Sequence, residues 1–406
     1  MRARAQRLIC SSVNTPMPFF SMAIRSGANI WAGWAATQPY RRLAAHRRSL
    51  LQLPYLSFRF SPQIKCPGVW RSRARSSTSH DNGAPPVTAT EPEAQDEVLL
   101  ESPAQFRIYK SGKIDRLNER TLSPTGLDEA TGVTSKDVVL DADTGVSVRL
   151  YLPMLKEPAA STKLPVLVYF HGGAFLIGSA GDATYHSYVN ALAAAAGVLV
   201  VSADYRLAPE HPLPAAYDDS WAALQWAAVS AQDDWITQYG DTSRLFLAGD
   251  SAGANIVHDM LMRAASDNDG GEPRIEGAIL LHPWFSGSTA IEGEPPAAAM
   301  ITGMLWSYAC PGAVGGADDP RMNPLAPGAP ALEKLGCVRM LVTAGLKDGL
   351  AARDRAYYDA LVASGWRGDA AWLESEGEGH VFFLEKPGCE NAKQLMDRVV
   401  AFIAGS

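Results

Sequence analysis

Ser251 stands at the centre of the pentapeptide Gly249–Gly253 (GDSAG), in which a glycine lies two positions to either side of the serine. An apolar run, Leu245–Ala248, precedes the pentapeptide, and a stretch with helical periodicity, Ala252–Ala265, follows it. A serine on such a strand-to-helix turn presents its hydroxyl outside the sheet, because the glycines let strand and helix pass closely. The pattern therefore predicts a nucleophilic serine. Since so short a motif also arises by chance, a glycine-rich turn in another α/β protein is the alternative.

A serine hydroxyl becomes nucleophilic only when a base removes its proton and a third group orients that base. In the strand–turn–helix arrangement the chain order is serine, acid, histidine, so only the histidines after the serine qualify. His258 lies about 10 Å further along the serine's own helix at 1.5 Å per residue. His282 follows a strand and is expected to be a loop or core histidine. His380, in a glycine-containing loop before the last predicted helix, is the predicted base.

The orienting acid is expected at the carboxyl end of a strand between the serine and the histidine. Asp348 fits this position, because it lies in the loop that leaves the apolar strand Val338–Ala344. Asp354 is the alternative. It falls within the next predicted helix, where a surface charge or a partner of Arg353 is expected.

The oxyanion of a tetrahedral intermediate needs preorganised N–H donors, and the loss of one typically costs about 3 kcal/mol. The loop His171–Phe175 (HGGAF) follows an apolar strand, and its glycines let backbone N–H groups come close to a substrate. Gly172, Gly173 and Ala252 are the predicted oxyanion donors, and His171 is expected to hold the loop. A simple strand-to-helix turn is the alternative interpretation.

The rest of the chain alternates between apolar segments typical of strands and segments with helical periodicity. Strands are predicted over 138–140, 146–152, 164–170, 198–204, 245–248, 277–281, 338–344 and 370–373. Helices are predicted over 184–196, 215–230, 252–265, 350–365 and 391–404. This alternation predicts a mostly parallel sheet with helices on both faces.

The basic residues are concentrated at the N-terminus. Residues 1–80 contain twelve Arg, one Lys and no acidic residue, whereas the remainder has 23 basic against 43 acidic residues. A segment rich in Arg and Ser and free of acids is typical of an organellar transit peptide, which is removed in a plastid or mitochondrion. A disordered basic tail, a nucleic-acid-binding arm and an upstream extension from an incorrect start codon are the alternatives, and a cytoplasmic location is the alternative to an organelle.

Composition constrains the domain boundaries, the membrane topology and the binding partners of the chain. Residues 81–104 are polar and rich in Pro, Ala and Glu, which predicts a linker before a catalytic domain over 105–406. No apolar run reaches about 18 residues, so no membrane span is expected. The five cysteines form no CxxC pair, which argues against a disulfide scaffold and against a zinc site. The acidic charge of the chain after residue 80 argues against nucleic-acid binding.

Together these motifs resemble the carboxylesterases of the hormone-sensitive-lipase group of α/β-hydrolases, in the plant branch. The resemblance covers about Phe106–Ile403. Besides HGGAF and GDSAG it is carried by YKSG (109–112), GVTSKD (132–137), DYRLAPE (204–210), Lys347-Asp348 and GHVF (379–382). It implies an α/β-hydrolase three-layer αβα sandwich with a mostly parallel central sheet. It also implies a helical cap over the active site, built from about 105–131 and 285–322.

The resemblance further implies a serine carboxylesterase that hydrolyses small carboxylic esters through an acyl-enzyme on Ser251, with Asp348 and His380 completing a triad. Neither a metal nor a cofactor is expected, and the partner is a small-molecule ester bound by a monomer or homodimer. The gibberellin receptors of the same group lack the catalytic histidine, so His380 favours an enzyme. The group also includes 2-hydroxyisoflavanone dehydratases and tuliposide-converting enzymes, which form a lactone by intramolecular transacylation. The sequence leaves both activities open.

Overall fold

The computed structural model describes residues 59–60, 96–102, 105–117, 121–155, 163–230, 233–266 and 273–405. The described residues up to 117 form one compact unit, and those from 121 onward form a second. Nearly all of the predicted transit peptide and most of the predicted linker lie outside the described residues.

The first unit contains an antiparallel sheet in the order β1-β2-β3-β4. Its strands are β1 Arg59–Phe60, β2 Val98–Ser102, β3 Phe106–Tyr109 and β4 Ile114–Arg116. Leu100 and Ile108 face each other across β2 and β3, and both are buried. This sheet differs from three predictions, because β1 lies within the predicted transit peptide 1–80, the linker 81–104 contains a strand, and residues 105–117 of the expected helical cap form strands. These strands are too short for their alternation to stand out in the sequence.

The second unit is built on a nine-stranded sheet in the order β13-β12-β11-β10-β8-β9-β7-β6-β5. Its strands are β5 Gly126–Asp128, β6 Val133–Val139, β7 Ser147–Leu152, β8 Leu164–Phe170, β9 Leu199–Asp204, β10 Gly240–Asp250, β11 Ile275–Leu281, β12 Cys337–Gly345 and β13 Asp369–Ser375. The six strands from β13 to β9 in this order run parallel, and β7, β6 and β5 are antiparallel to their neighbours. The predicted mostly parallel sheet is therefore confirmed. β5 also shows that part of the expected cap, 105–131, belongs to this sheet.

Helices cover both faces of the sheet. They are α1 Ala183–Ala196, α2 Ala215–Gln225, α3 Asp234–Tyr239, α4 Ala252–Ser266, α5 Pro296–Ala309, α6 Ala351–Ala363, α7 Phe382–Glu385 and α8 Glu390–Ala404. Leu341 of β12 lies in the core cluster that α1 and α8 share, whereas its neighbour Met340 contacts Tyr357 of α6. Because successive side chains of a strand point to opposite faces, α1 and α8 cover one face and α6 covers the other. Helix α5 lies in the insertion 285–322 that the resemblance assigns to the cap.

Parallel strands place their carboxyl ends at one edge of the sheet, and the predicted chemistry lies at this edge. His171 follows β8, Ser251 follows β10, His282 follows β11, and the loop with Asp348 follows β12. The topology therefore brings residues that are far apart in the sequence to one place.

The start of α4 packs directly against the end of β8, and this contact is testable. A Cβ at Gly253 would lie 1.9 Å from the carbonyl oxygen of Phe170. Gly253→Ala is therefore expected to lower the free energy of unfolding by about 1–3 kcal/mol, as overpacking does, measured by urea denaturation. Gly388→Ala is the matched control, because a Cβ there meets no atom within 4 Å. Equal stability of the two variants would contradict the close packing of β8 and α4.

Candidate active site

Ser251 occupies a left-handed turn between β10 and α4. Its φ is +52°, and the structure holds the residue from both sides. Its N–H donates to the carbonyl of Leu281 at 2.9 Å, and its own carbonyl accepts the N–H of Trp284 at 3.0 Å. A non-glycine residue in this region of backbone space is strained and persists only where its surroundings fix it. These bonds from the end of β11 supply that fixation.

The structure brings Ser251, His380 and Asp348 into one hydrogen-bonded row. Ser251 Oγ lies 2.8 Å from His380 Nε2, and His380 Nδ1 lies 2.6 Å from Asp348 Oδ2. The second oxygen of Asp348, Oδ1, accepts the N–H of Leu350 at 3.0 Å. Ser251 and Asp348 are buried, whereas 22% of the His380 side chain is exposed. This geometry lets His380 exchange a proton with the serine while the carboxylate fixes the ring.

The pKa values of this row follow from burial and pairing. Burial pushes the pKa of His380 down, but the charge of Asp348 and its hydrogen bond outweigh burial, so the pKa lies above its ordinary value. Burial pushes the pKa of Asp348 up, but the charge of His380 and the hydrogen bond between the two side chains lower it well below its usual range. Asp348 is therefore ionised, and it favours the protonated form of His380.

The loop after β8 corrects one predicted oxyanion donor. The N–H of Gly172 donates to Tyr185 Oη at 2.9 Å and to Asp250 Oδ1 at 3.1 Å, so it is occupied within the protein. Gly173 and Ala174 follow with φ of +109° and +53°. Within the described ranges, no group accepts a hydrogen bond from the N–H of Gly173, Ala174 or Ala252. Of the three predicted donors, Gly172 therefore has an N–H that is already bonded, whereas those of Gly173 and Ala252 have no acceptor in the described residues.

Asp250, the residue before the serine, holds this loop by accepting hydrogen bonds with its side chain. Its carboxylate is buried and accepts hydrogen bonds from Tyr169 Oη at 2.8 Å, from Tyr185 Oη at 3.0 Å and from the Gly172 N–H. Burial raises its pKa to about 6, although all three donors oppose that rise. The carboxylate thus joins β8, α1 and the glycine loop. The sequence reasoning did not foresee this role.

His171 and Asp354 are buried core residues that do not join the Ser251–His380–Asp348 row. His171 is buried, and its ring stacks on Tyr205 with centroids 4.2 Å apart. Asp354 is neither a surface charge nor a partner of Arg353, as had been expected, because it is fully buried and Arg353 pairs with the buried Glu294 at 2.8 Å. Within the described part of the chain neither oxygen of Asp354 has a hydrogen-bond partner, and burial raises its pKa well above the ordinary value. Asp354 is therefore a core residue whose burial favours the protonated form of its carboxyl group.

Sequence reasoning placed His282 just after a strand, as a loop or core histidine, but not in the site. Its ring is fully buried, and its Nδ1 lies 3.4 Å from Asp348 Oδ2 and accepts the N–H of Val381 at 3.2 Å. The one available signal was its position just after a strand that ends at the same edge. His282, Asp348 and His380 also bring their potential metal-ligand atoms within 4.8 Å of one another. Those same atoms already contact each other in the row described above.

Comparison with known proteins places the chain in a family. Residues 167–384 match the model of a family with the α/β hydrolase fold. Tuliposide A-converting enzyme 1, chloroplastic, from Tulipa gesneriana is 46% identical over 328 residues, which cover 79% of this chain and 82% of that protein. Probable carboxylesterase 13 from Arabidopsis thaliana is 42% identical over 324 residues, which cover 76% and 98%.

Solved structures agree with the family. The hyperthermophilic esterase from the archaeon Pyrobaculum calidifontis superimposes with a TM-score of 0.54 at 28% identity, over 66% of this chain and 84% of that one. The chain belongs to the α/β hydrolase fold family. Within that family it is a carboxylesterase-like hydrolase, as the resemblance implied.

The comparisons also bear on location and membranes. Of the two organelles predicted, plastid and mitochondrion, the comparisons support the plastid, because tulip relatives are named chloroplastic and amyloplastic. In the described residues, no helix has the length and apolar character that crossing a bilayer requires.

The hydrogen bonds to Asp250 give a prediction about stability. Tyr169→Phe removes a donor to a buried carboxylate, and such a loss costs about 1.5–3 kcal/mol. Tyr188→Phe is the matched control, because the described residues offer no partner to the buried Tyr188 hydroxyl. Urea denaturation is expected to show a large loss of unfolding free energy for the first variant and little change for the second. If both variants lose equally, the hydroxyl bond to Asp250 does not stabilise the loop.

Proposed function

We propose that the protein is a serine carboxylesterase that hydrolyses small carboxylic esters through an acyl-enzyme on Ser251. The observation that carries the proposal is the continuous row from Ser251 Oγ through His380 to Asp348, with separations of 2.8 and 2.6 Å. A serine with a base and an orienting acid at these distances is equipped for acyl transfer. The same row argues against a receptor that binds a ligand without turnover.

In the proposed reaction His380 Nε2 takes the proton of Ser251 as Oγ attacks the ester carbonyl. The resulting imidazolium is stabilised by Asp348, and it then protonates the leaving alcohol. Water enters, loses a proton to His380 and attacks the acyl-enzyme; His380 then returns that proton to Ser251 Oγ as the bond to the acyl carbon breaks, which releases the acid and restores the serine. Each step uses the same nitrogen of the same ring.

The oxyanion is proposed to bind the N–H groups of Gly173, Ala174 and Ala252. Ala252 is the first residue of α4, so its N–H has no acceptor in the preceding turn and carries the positive end of the helix dipole. Gly173 and Ala174 are partly exposed, unlike the buried Gly172. The three proposed donors come from two elements, the loop after β8 and the start of α4.

We further propose the domain organisation that the sequence suggests, with two changes. Residues 1–80 are a plastid transit peptide, and the catalytic domain begins near residue 121 rather than 105, since β5 is the first described strand of its sheet. The cap is formed by the insertion 285–322 with α5, while residues 105–117 form strands of the first unit. Removal of the transit peptide leaves a strongly acidic mature protein.

Transacylation is the second candidate, and the 46% identity to a tuliposide A-converting enzyme favours it. In that reaction a hydroxyl on the acyl group replaces water. An enzyme-bound 4-hydroxyacyl group would close to a five-membered lactone and leave Ser251 free. Proton NMR of the products from a 4-hydroxyacyl ester separates the two reactions, because hydrolysis yields the free hydroxy acid and transacylation yields the lactone.

Ser251→Ala should abolish hydrolysis of p-nitrophenyl butyrate, with a loss of about ten-thousand-fold or more in kcat, as nucleophile removal does. Ser202→Ala is the matched control, because Ser202 is also buried and nothing in the described residues bonds its hydroxyl. The control is expected to keep full activity. An active Ser251→Ala protein, or a wild-type protein inert toward all such esters, would refute the esterase proposal.

The raised pKa of His380 sets the acid limb of the pH–rate profile. The base must be neutral, so activity is lost as pH falls through a midpoint above the ordinary histidine value. Asp348→Asn removes the charge that raises this pKa, so the midpoint of kcat/KM is expected to move to lower pH. Activity should also fall by about 10⁴-fold, because the ring loses its orientation.

Two other carboxylates, Asp250 and Glu385, also raise the pKa of His380, and both remain in the Asp348→Asn variant. The shift therefore measures Asp348 alone. A midpoint that stays in place in the variant would show that Asp348 does not control the charge of His380.

A further inference from the structure

One short segment, Leu281–Trp284, contacts Ser251, Asp348 and Val381, the residue that follows His380. The backbone of Leu281 and that of Trp284 bond Ser251 from its two sides. Between them His282 directs its ring to the other end of the row, toward Asp348. The backbone N–H of His282 also donates to the carbonyl of Thr343 on β12 at 3.1 Å. The segment therefore connects the serine to the strand that carries the acid.

The ring of His282 is held tightly. The side chain is fully buried, and its centroid lies 5.7 Å from those of both Phe382 and Phe383. The residue has a φ of +49°, a strained conformation for histidine. Strain of this kind persists where the surroundings fix it, and it marks positions with a specific task.

Nδ1 is the ring nitrogen of His282 that makes the polar contacts. Burial lowers the pKa of His282, so the imidazole is neutral. Its Nδ1 faces the N–H of Val381, while the described residues offer no polar partner to Nε2. A neutral ring that accepts at Nδ1 carries its proton on Nε2.

Val381 follows the catalytic base directly in the chain, and it too has a left-handed backbone, with a φ of +43°. Its N–H bond to His282 fixes the peptide that leaves His380. The same Nδ1 lies 3.4 Å from Asp348 Oδ2, the oxygen that His380 contacts at 2.6 Å. His282 thus fills the space behind that oxygen and limits where the carboxylate can move.

We propose that His282 is a positioning residue, which fixes the loop of His380 through the Val381 N–H and confines the carboxylate of Asp348. The inference rests on the proposed function, because it assigns the row a reaction. His282 touches no substrate and exchanges no proton with it. Its removal is expected to impair the chemical step and leave ester binding unaltered.

The test compares His282→Leu, which keeps the bulk and removes the acceptor, with His282→Asn, whose side-chain oxygen can accept the Val381 N–H. The probe is a fluorophosphonate: the activated serine Oγ forms a bond to its phosphorus, fluoride leaves, and the mass of the intact protein reports the attached phosphonyl group. Misplacement of a catalytic group by about 1 Å can cost 10²-fold. We expect labelling of Ser251 to slow by about tenfold or more in the Leu variant, and Asn to restore most of the rate.

Ester kinetics give a second readout. For p-nitrophenyl butyrate the Leu variant should lose kcat by a similar factor, with KM within about twofold of wild type. His258→Leu is the matched control, since His258 is a buried histidine that bonds Tyr357 at 3.0 Å and not the row. It is expected to lower the melting temperature yet label at the wild-type rate.

The outcomes separate this inference from the proposed function. If wild-type protein is not labelled, the proposed function fails and the inference fails with it. If wild type is labelled and His282→Leu reacts at the same rate, or if Asn rescues nothing, the inference fails while the proposed function stands. A rise in KM with unchanged kcat would also overturn it, because His282 would then act on binding.

Discussion

The constraint on which the rest of the structure depends is the left-handed turn at Ser251. The turn is confined because β10 and α4 approach so closely there that a Cβ on Gly249 would lie 2.4 Å from the backbone of Gly253. A serine at this turn cannot withdraw its hydroxyl into the sheet. Leu281 at the end of β11 and Trp284 just beyond it form hydrogen bonds with the serine backbone on both sides. These bonds fix the position of Oγ relative to the sheet.

Two buried carboxylates flank this turn, and their environments push their pKa values in opposite directions. Asp348 faces histidines, and the positive charge that His380 can carry lowers its pKa. Asp250 has three neutral donors in Tyr169, Tyr185 and Gly172, and burial outweighs them, so its pKa rises to about 6. Neutral dipoles stabilise an anion less than an opposite charge does. Asp348 is thereby suited to balancing an imidazolium, whereas Asp250 is suited to holding a loop.

Sequence reasoning reached the features that local pattern encodes. Strand order and apolar runs located the carboxyl edge, and the motifs supplied Ser251, Asp348 and His380, which the structure brings together. It missed what only tertiary contact decides. Gly172 was expected to offer its N–H, but Asp250 and Tyr185 occupy it. Asp354 looked like a surface charge because helical periodicity says nothing about which neighbours bury a given face.

The choice between water and an internal hydroxyl as acyl acceptor lies outside the row itself, because both reactions use the same serine and base. It depends on what surrounds the acyl-enzyme, for which the insertion 285–322 is the proposed cap. Within the insertion Ser286 Oγ lies 2.6 Å from Thr302 Oγ1 of α5, and the buried Arg353–Glu294 pair joins the insertion to α6. Breaking one partner of such a buried pair is costly, so the insertion has little freedom to move at that point. Selection of the acceptor is therefore expected to lie in the side chains of the insertion rather than in its opening and closing.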